Sequence, residues 1–149
     1  MPEAVVGRVG ERLRAEFYLQ KIAFYDTRIE SNRKRIADYK DSAVNKTSNL
    51  SPNKVQSSSS MQKMESAVVS YSDLERIIKI LEKNRQDIIE DICSLEPSES
   101  MVLYKHYVDG VDLVLMEDVV GKSLSWIYKK HGSGVKKIQA ILDEREKVG

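Results

Sequence analysis

The stretch that decides the fold is residues 109–131, DGVDLVLMEDVVGKSLSWIYKKH. Two turns stand out in it, Asp109-Gly110 and Gly121-Lys122-Ser123, and they enclose a short apolar segment. Glycine and aspartate favour turns, and Ser123 suits the N-cap of a succeeding helix. Working outward from these turns, the pattern predicts three short helices, over residues 98–108, 112–120 and 124–145.

Charge reverses sharply along this part of the chain. Residues 96–120 hold six acidic residues and one basic residue, Lys105, whereas residues 121–137 hold five lysines and no acid. The net charge of the whole chain is only +1. A polyanion responds to the nearest charged face, so the local reversal indicates more about binding than the total does.

A short helix, a tight glycine turn and a second, basic helix are the parts of a helix-turn-helix. In this interpretation Lys129 and Lys130 neutralise phosphates, while Ser125 and Trp126 approach base edges or sugars. Ile127 faces inward, and its side of the helix continues through Val135, Ile138, Ile141 and Leu142. The alternative is an ordinary helical bundle with a solvated lysine face.

Upstream, the sequence predicts two long helices, over residues 11–41 and 62–95. Between them, residues 42–60 are rich in Ser, Asn and Lys, contain Pro52 and predict a loop. Two long helices joined by a loop indicate an antiparallel hairpin. The predicted organisation is therefore all-α, with a coiled-coil-like helical hairpin at 1–96 and a helix-turn-helix domain at 97–149.

Apolar residues recur along both long helices. In the first helix Ile22, Ile29 and Ile36 repeat every seven residues, and Tyr25 and Tyr39 share a second heptad row that Asn32 interrupts. In the second helix one stripe runs along Met64, Val68, Tyr71, Leu74, Ile78, Leu81, Ile88, Ile92 and Leu95. Two helices bury little surface alone, so we expect either a partner chain or the C-terminal unit to cover the rest, and a homodimer through the hairpin is one candidate.

Several segments together resemble a known family. They are Glu99–Gly110, Gly121–Ser123, Ile127–Gly132, Val135–Ile138 and the linker Pro52–Met64. They are similar to the region-four helix-turn-helix of sigma factors and, more narrowly, to small phage and prophage proteins of Gram-positive bacteria that join a helical hairpin to this unit. The resemblance covers roughly residues 18–142. It implies a transcriptional regulator of phage genes that binds double-stranded DNA, with host RNA polymerase or its sigma factor as a further partner.

The resemblance also assigns roles to individual positions. The recognition helix would run from Ser123 to about Val135, supported by residues 112–120, and His131 would contact a phosphate or pack between helices. With the basic residues of the segment, the predicted DNA-binding set is Lys122, Ser123, Ser125, Trp126, Lys129, Lys130, His131 and Lys136.

Three features depart from the family's pattern. Glu117, or Asp118 in a shifted register, stands where a small residue usually meets the recognition helix, so its carboxylate must be exposed or paired. Leu124 and Ser125 replace early arginines that would read guanine. Gly132 and Gly134 weaken the helix by roughly 1 kcal/mol each relative to Ala.

The sequence disfavours other functional classes. His106 and His131 lack metal-ligand spacing, no phosphate-binding glycine loop is present, and no base accompanies a nucleophile, so we expect no enzyme, metal or cofactor. The lone Cys93 predicts a small buried residue in a reducing cytoplasm. No apolar segment is long enough for a membrane helix, and no signal peptide is recognisable.

Two other binding roles remain as alternatives. The acidic segment 96–120 suits a basic protein surface, so the chain could instead be a helical adaptor that binds RNA polymerase or another protein without binding DNA. An RNA-binding role is weaker, because Trp126 and Tyr128 are the only rings near the lysines and single-strand recognition needs a stacking platform.

Overall fold

The computed structural model describes residues 2–48 and 57–148, and within them the side chains of residues 14–43 and 71–148. Its α-helices are α1 (Pro2–Ser48), α2 (Ser57–Cys93), α3 (Pro97–Leu103), α4 (Met116–Val120) and α5 (Leu124–Val148). A π-helical turn, Tyr104–Val108, follows α3, and a 3-10 turn, Leu113–Leu115, precedes α4. No strand occurs in these described ranges, so the all-α prediction is confirmed.

Both long helices extend further than the sequence suggested. The predicted loop of residues 42–60 is wrong at its two ends, because α1 continues to Ser48 and α2 already begins at Ser57. Serine, asparagine and lysine cost a helix only tenths of a kcal/mol per residue, and extending an existing helix adds one hydrogen bond per residue. Composition alone therefore did not end these helices. The loop's centre, with Pro52, lies outside the described residues.

The described residues of the range 25–83 form one compact unit. Ile29, Ile78 and Leu81 make its buried cluster, against which Tyr25 and Ile36 pack. Arg33 Nη2 on α1 donates to Glu82 Oε1 on α2 at 2.5 Å, and Lys40 Nζ lies 5.3 Å from the Tyr71 ring centroid. Residue numbers rise along α1 as they fall along α2, so within this unit the two helices are antiparallel.

The heptad rows of α1 are only partly correct. Asn32 is buried at 7% exposure, as expected for a polar residue that interrupts an apolar row. Tyr39, predicted on the same row, is 39% exposed. On α2, the apolar stripe is buried at Leu74, Ile78, Leu81, Ile88 and Ile92, whereas its members Met64 and Val68 lie outside the described side chains.

The second unit contains the described residues of the ranges 1–24 and 84–149. Ala15, Leu19 and Ile22 of α1 are fully buried in it, as are Ile92 of α2 and Leu103 of α3. The sequence predicts a division of the chain between residues 96 and 97. In the structure, the described residues from 97 onward form one compact unit together with residues 84–96 and the described residues of 1–24. Everything that bears on the candidate site lies in this unit.

Two features concern the surface. Cys93 is exposed, so the expectation of a buried cysteine is wrong; as the last residue of α2 it leaves the inward position to Ile92. Over the searched part of the chain, none of the helices combines the length and apolar character needed to span a membrane.

Candidate nucleic-acid interface

Two left-handed glycines shape the turns around α4. Gly110 has φ +74° and Gly121 has φ +76°. Residues with a Cβ rarely adopt this conformation, which explains glycine at both positions. The Gly121 N–H donates to the carbonyl of Glu117 at 2.9 Å and closes the end of α4, so the chain can turn directly into α5.

Ser123 caps helix α5, as the sequence predicted. Its Oγ accepts a hydrogen bond from the Trp126 N–H at 3.2 Å, and its carbonyl accepts one from the Ile127 N–H at 3.0 Å. The cap satisfies an N–H group that has no partner within the helix. It fixes where α5 starts and therefore which residues of its first turns face outward.

The first half of α5 rests on a closed apolar cluster. Val102, Met116 and Ile127 are all fully buried and pack together, with Trp126 partly buried against them. Val135 and Ile138 continue the buried side of α5 at 1% and 0% exposure. The predicted inward face of this helix is confirmed at Ile127, Val135 and Ile138, whereas Ile141 and Leu142 are half-buried.

The position that meets α5 is occupied by Met116, not by Glu117 or Asp118. Met116 is 0% exposed, whereas both carboxylates are exposed. Exposure is one of the two states expected for a carboxylate at Glu117 or Asp118. A flexible thioether side chain fills this gap without burying a charge.

The outward face of α5 carries part of the predicted binding set. Ser125, Lys129 and Lys136 are all exposed, and their spacing of four and then seven residues places them on one side of the helix. Gly132 lies on the same side, between the two lysines. We call Ser125, Lys129, Gly132 and Lys136 the α5 outer stripe.

Trp126 is engaged with its neighbours rather than projecting from the surface. Lys122 Nζ lies 5.7 Å and Lys130 Nζ 5.8 Å from the centroid of its ring, within the range of cation–π attraction. The ring also packs against the core. Trp126 therefore holds two ammonium groups close to the start of α5, and its approach to base edges or sugars stays a prediction.

His131 faces Tyr107 of the π-helical turn. Its Nε2 lies 2.8 Å from the Tyr107 hydroxyl, and the two rings stack with centroids 5.7 Å apart. The ring of His106 is 5.6 Å away, and its Nδ1–H donates to the carbonyl of Val111 at 2.8 Å. Burial, and secondly the charge of Glu16, raise the pKa of Tyr107. Of the two roles expected for His131, this geometry matches helix packing.

The charge of Lys137 is paired with a buried acid, Glu99, which the sequence analysis did not single out. Its Nζ donates to Glu99 Oε1 at 2.6 Å, and Ser133 Oγ donates to the other carboxylate oxygen. Burial acts to raise the pKa of Glu99, but the hydrogen bonds from Lys137 and Ser133 and nearby lysine charges outweigh it and lower that pKa. No local signal marks Glu99, because its partners lie 34 and 38 residues away.

Gly134 has a packing role that its helix propensity conceals. A Cβ at this position would lie 2.9 Å from Leu103 Cδ1 and 3.1 Å from Leu103 Cγ. A larger residue at this point would therefore require the fully buried Leu103 side chain to shift. Gly134, which lowers the helix propensity of α5, therefore permits the close contact between α5 and α3.

The far end of α5 is fixed by a second buried group. Arg145 donates through Nη1 to Asp91 Oδ2 at 2.8 Å and through Nη2 to Asp91 Oδ1 at 2.6 Å, a two-pronged pair. Tyr18 Oη also donates to Asp91, so α1, α2 and α5 meet at one carboxylate. We call Tyr18, Asp91 and Arg145 the Asp91 clamp. Sequence analysis missed it, since the three residues are far apart in the chain.

No protein-family model, curated protein or solved structure matches this chain. The resemblance to sigma-factor region four and to the phage proteins therefore stays a proposal. Among the described side chains, no three His, Cys, Asp or Glu residues lie together in an arrangement that could hold a metal ion.

Proposed function

We propose that this chain is a cytoplasmic, DNA-binding transcriptional regulator that contacts duplex DNA through the first half of α5. The observation that carries the proposal is the exposed α5 outer stripe. Lys129 and Lys136 project from a rigidly backed helix within a segment, residues 121–137, that contains no acid. Such a surface suits a phosphate backbone, where lysines bind as point charges.

The surroundings of the stripe support the same role. The Gly121 turn and the Ser123 cap give α5 a defined start, and α4 packs behind it through Met116. Lys122 Nζ and Lys130 Nζ lie 5.7 and 5.8 Å from the centroid of the Trp126 ring, so both ammonium groups are held beside one side chain. Two cations held in this way can contact phosphates of the same strand, while Ser125 approaches the groove.

The test is fluorescence anisotropy with labelled duplex DNA at several salt concentrations. Lys129→Ala/Lys136→Ala should weaken binding and reduce the slope of log affinity against log salt by about 1.8, from roughly 0.9 per lost phosphate contact. Lys79→Ala/Lys147→Ala removes the same charge from exposed positions elsewhere and should leave the slope unchanged. Equal losses for the two double variants would refute the assignment of the stripe.

A homodimer is proposed as the second part of this function. Phe17 and Phe24, seven residues apart on α1, are 62% and 55% exposed, so both rings present apolar surface to solvent. Paired regulators present two recognition helices to half-sites about one DNA turn apart. Sedimentation equilibrium of the full chain and of Phe17→Ser/Phe24→Ser tests this; a wild-type chain that stays monomeric contradicts it.

The adaptor alternative makes a different prediction in the same assay. If the chain binds only RNA polymerase or another protein, the folded wild type will not bind duplex DNA even at low salt. In that outcome the lysines serve solubility, and RNA polymerase with its sigma factor becomes the next partner to test.

A further inference from the structure

Residues 112–119 have apolar side chains on both of their faces. The inward set, which includes Leu113 and Met116, fills the core beside α5. The outward set is Val114, Leu115 and Val119, which are 62%, 57% and 56% exposed. A surface helix normally exposes polar residues, and clustered exposed aliphatic side chains mark sites of interaction.

Carboxylates accompany these aliphatic side chains. Asp112, Glu117 and Asp118 are exposed, and none of them takes part in an ion pair between described residues. No lysine or arginine occurs between residues 106 and 121. We call Asp112, Val114, Leu115, Glu117, Asp118 and Val119 the acidic–apolar face.

We propose that the acidic–apolar face docks a short basic, amphipathic helix of a partner protein. Lysines or arginines of that helix pair with the three carboxylates, and its aliphatic side chains cover Leu115 and Val119, which lie one helical turn apart. DNA does not fit this face, because the carboxylates repel phosphates. The docking face shares no residue with the α5 outer stripe, so both can be occupied together.

The size of the face also indicates the occupant. A standard stable interface buries about 800 Å² on each partner, with roughly 20–30 residues a side. Three aliphatic and three acidic side chains fall well short of that, which argues against a stable dimer of this chain through the same face. One helix laid across α4 and the preceding 3-10 turn matches the available surface.

The probe is a synthetic helical peptide of leucines and lysines, with a leucine–glutamate peptide of the same pattern as the negative control. We would titrate each into the ¹⁵N-labelled full chain and follow the amide resonances by NMR. The lysine peptide should shift signals of residues 112–119 first, with a Kd below about 1 mM. The glutamate peptide should shift none of them.

Variants then separate the apolar and the charged contributions. Leu115→Ser/Val119→Ser and Glu117→Lys/Asp118→Lys should each weaken binding about tenfold. The matched controls Val148→Ser, at a residue 88% exposed, and Glu144→Lys should bind as the wild type does. All of these positions are exposed, so the variants are expected to fold, and circular dichroism checks that.

Three results would overturn the proposal. The first is peptide shifts spread over other acidic surfaces, or no shifts at about 1 mM peptide. The second is wild-type affinity in the Leu115→Ser/Val119→Ser variant. The third is self-association of the chain that this variant abolishes, which would make a second copy the occupant. The anisotropy assay on the same variants is independent, so DNA binding can fail or persist without deciding this outcome.

Discussion

Removing Arg145 should destabilise the protein more than removing the charge of Asp91. The Asp91 side chain is 10% exposed and that of Arg145 is 54% exposed. Arg145→Ala therefore leaves a buried carboxylate with Tyr18 as its remaining clamp partner, whereas Asp91→Asn leaves a guanidinium that water can reach. Breaking a buried pair on one side costs about 3–5 kcal/mol. Because water can enter beside Arg145, we expect about 2–4 kcal/mol for Arg145→Ala and about 1–2 kcal/mol for Asp91→Asn.

The assay is urea unfolding of the full chain at neutral pH, followed by circular dichroism. The double variant Asp91→Asn/Arg145→Ala should be more stable than Arg145→Ala alone, because it no longer buries an uncompensated charge. Lys147→Ala, an exposed cation in the same last turn of α5, should change the unfolding free energy by less than about 0.5 kcal/mol. A loss below about 1 kcal/mol for Arg145→Ala, or strictly additive single losses, would refute this reasoning.

Three further predictions concern the same unit. Gly134→Ala should destabilise the protein by about 1 kcal/mol, because the clash with Leu103 costs about 1–3 kcal/mol and exceeds the gain of roughly 1 kcal/mol in helix propensity. Urea unfolding measures this, with Ala140→Gly as a control for helix propensity alone. A Gly134→Ala variant more stable than the wild type contradicts the prediction. Because the pKa of Glu99 is lowered in the folded chain, its ionised carboxylate stabilises the fold above the pKa of an unfolded glutamate, and this stabilisation is lost as pH falls through the folded value. Glu99→Gln should therefore make the free energy of unfolding fall less steeply with decreasing pH in the acid range. An unchanged acid dependence argues against this. Burial and the hydrogen bond to Asp91 raise the pKa of Tyr18 to about 12, so the stability that its protonated hydroxyl contributes is complete below pH 10 and is lost towards pH 12. In an alkaline titration followed by absorbance at 295 nm, Tyr18→Phe should show one fewer late-titrating tyrosine than the wild type. Identical titration curves exclude the assignment.

Local signals in the sequence were sufficient for the frame of the C-terminal helices. The glycines at 110 and 121 were correctly placed in turns, Ser123 caps α5, and Ile127 faces inward. Each of these features depends on neighbours within about four residues, which a single sequence displays directly. The predicted ends of the long helices were wrong, because weak helix formers do not stop a helix that is already formed.

Long-range pairs were beyond the sequence. In the sequence Glu99 is one acid among six in its segment, yet its residue is 1% exposed and accepts a hydrogen bond from Lys137. The sequence left His131 with two roles, a phosphate contact or helix packing, and did not indicate that its ring stacks on Tyr107. The sequence analysis considered only the low helix propensity of Gly134, whereas in the structure this glycine leaves room for the Leu103 side chain. In each case the deciding partner is at least 24 residues away, and nothing in the local pattern names it.

The π-helical turn at Tyr104–Val108 has a consequence for how this chain tolerates changes in length. Such a turn holds one residue more than an α-helical turn along the same path, so it is equivalent to a single-residue insertion absorbed within a helix. Deleting one residue within this turn would remove the extra residue and leave an ordinary α-helical turn, with the downstream residues in the same register relative to α3. A deletion within the regular turns of α3 would instead rotate everything downstream by about 100°. Between α3 and α4, the π-helical turn is therefore the place where the chain can lose one residue with the least change in its direction.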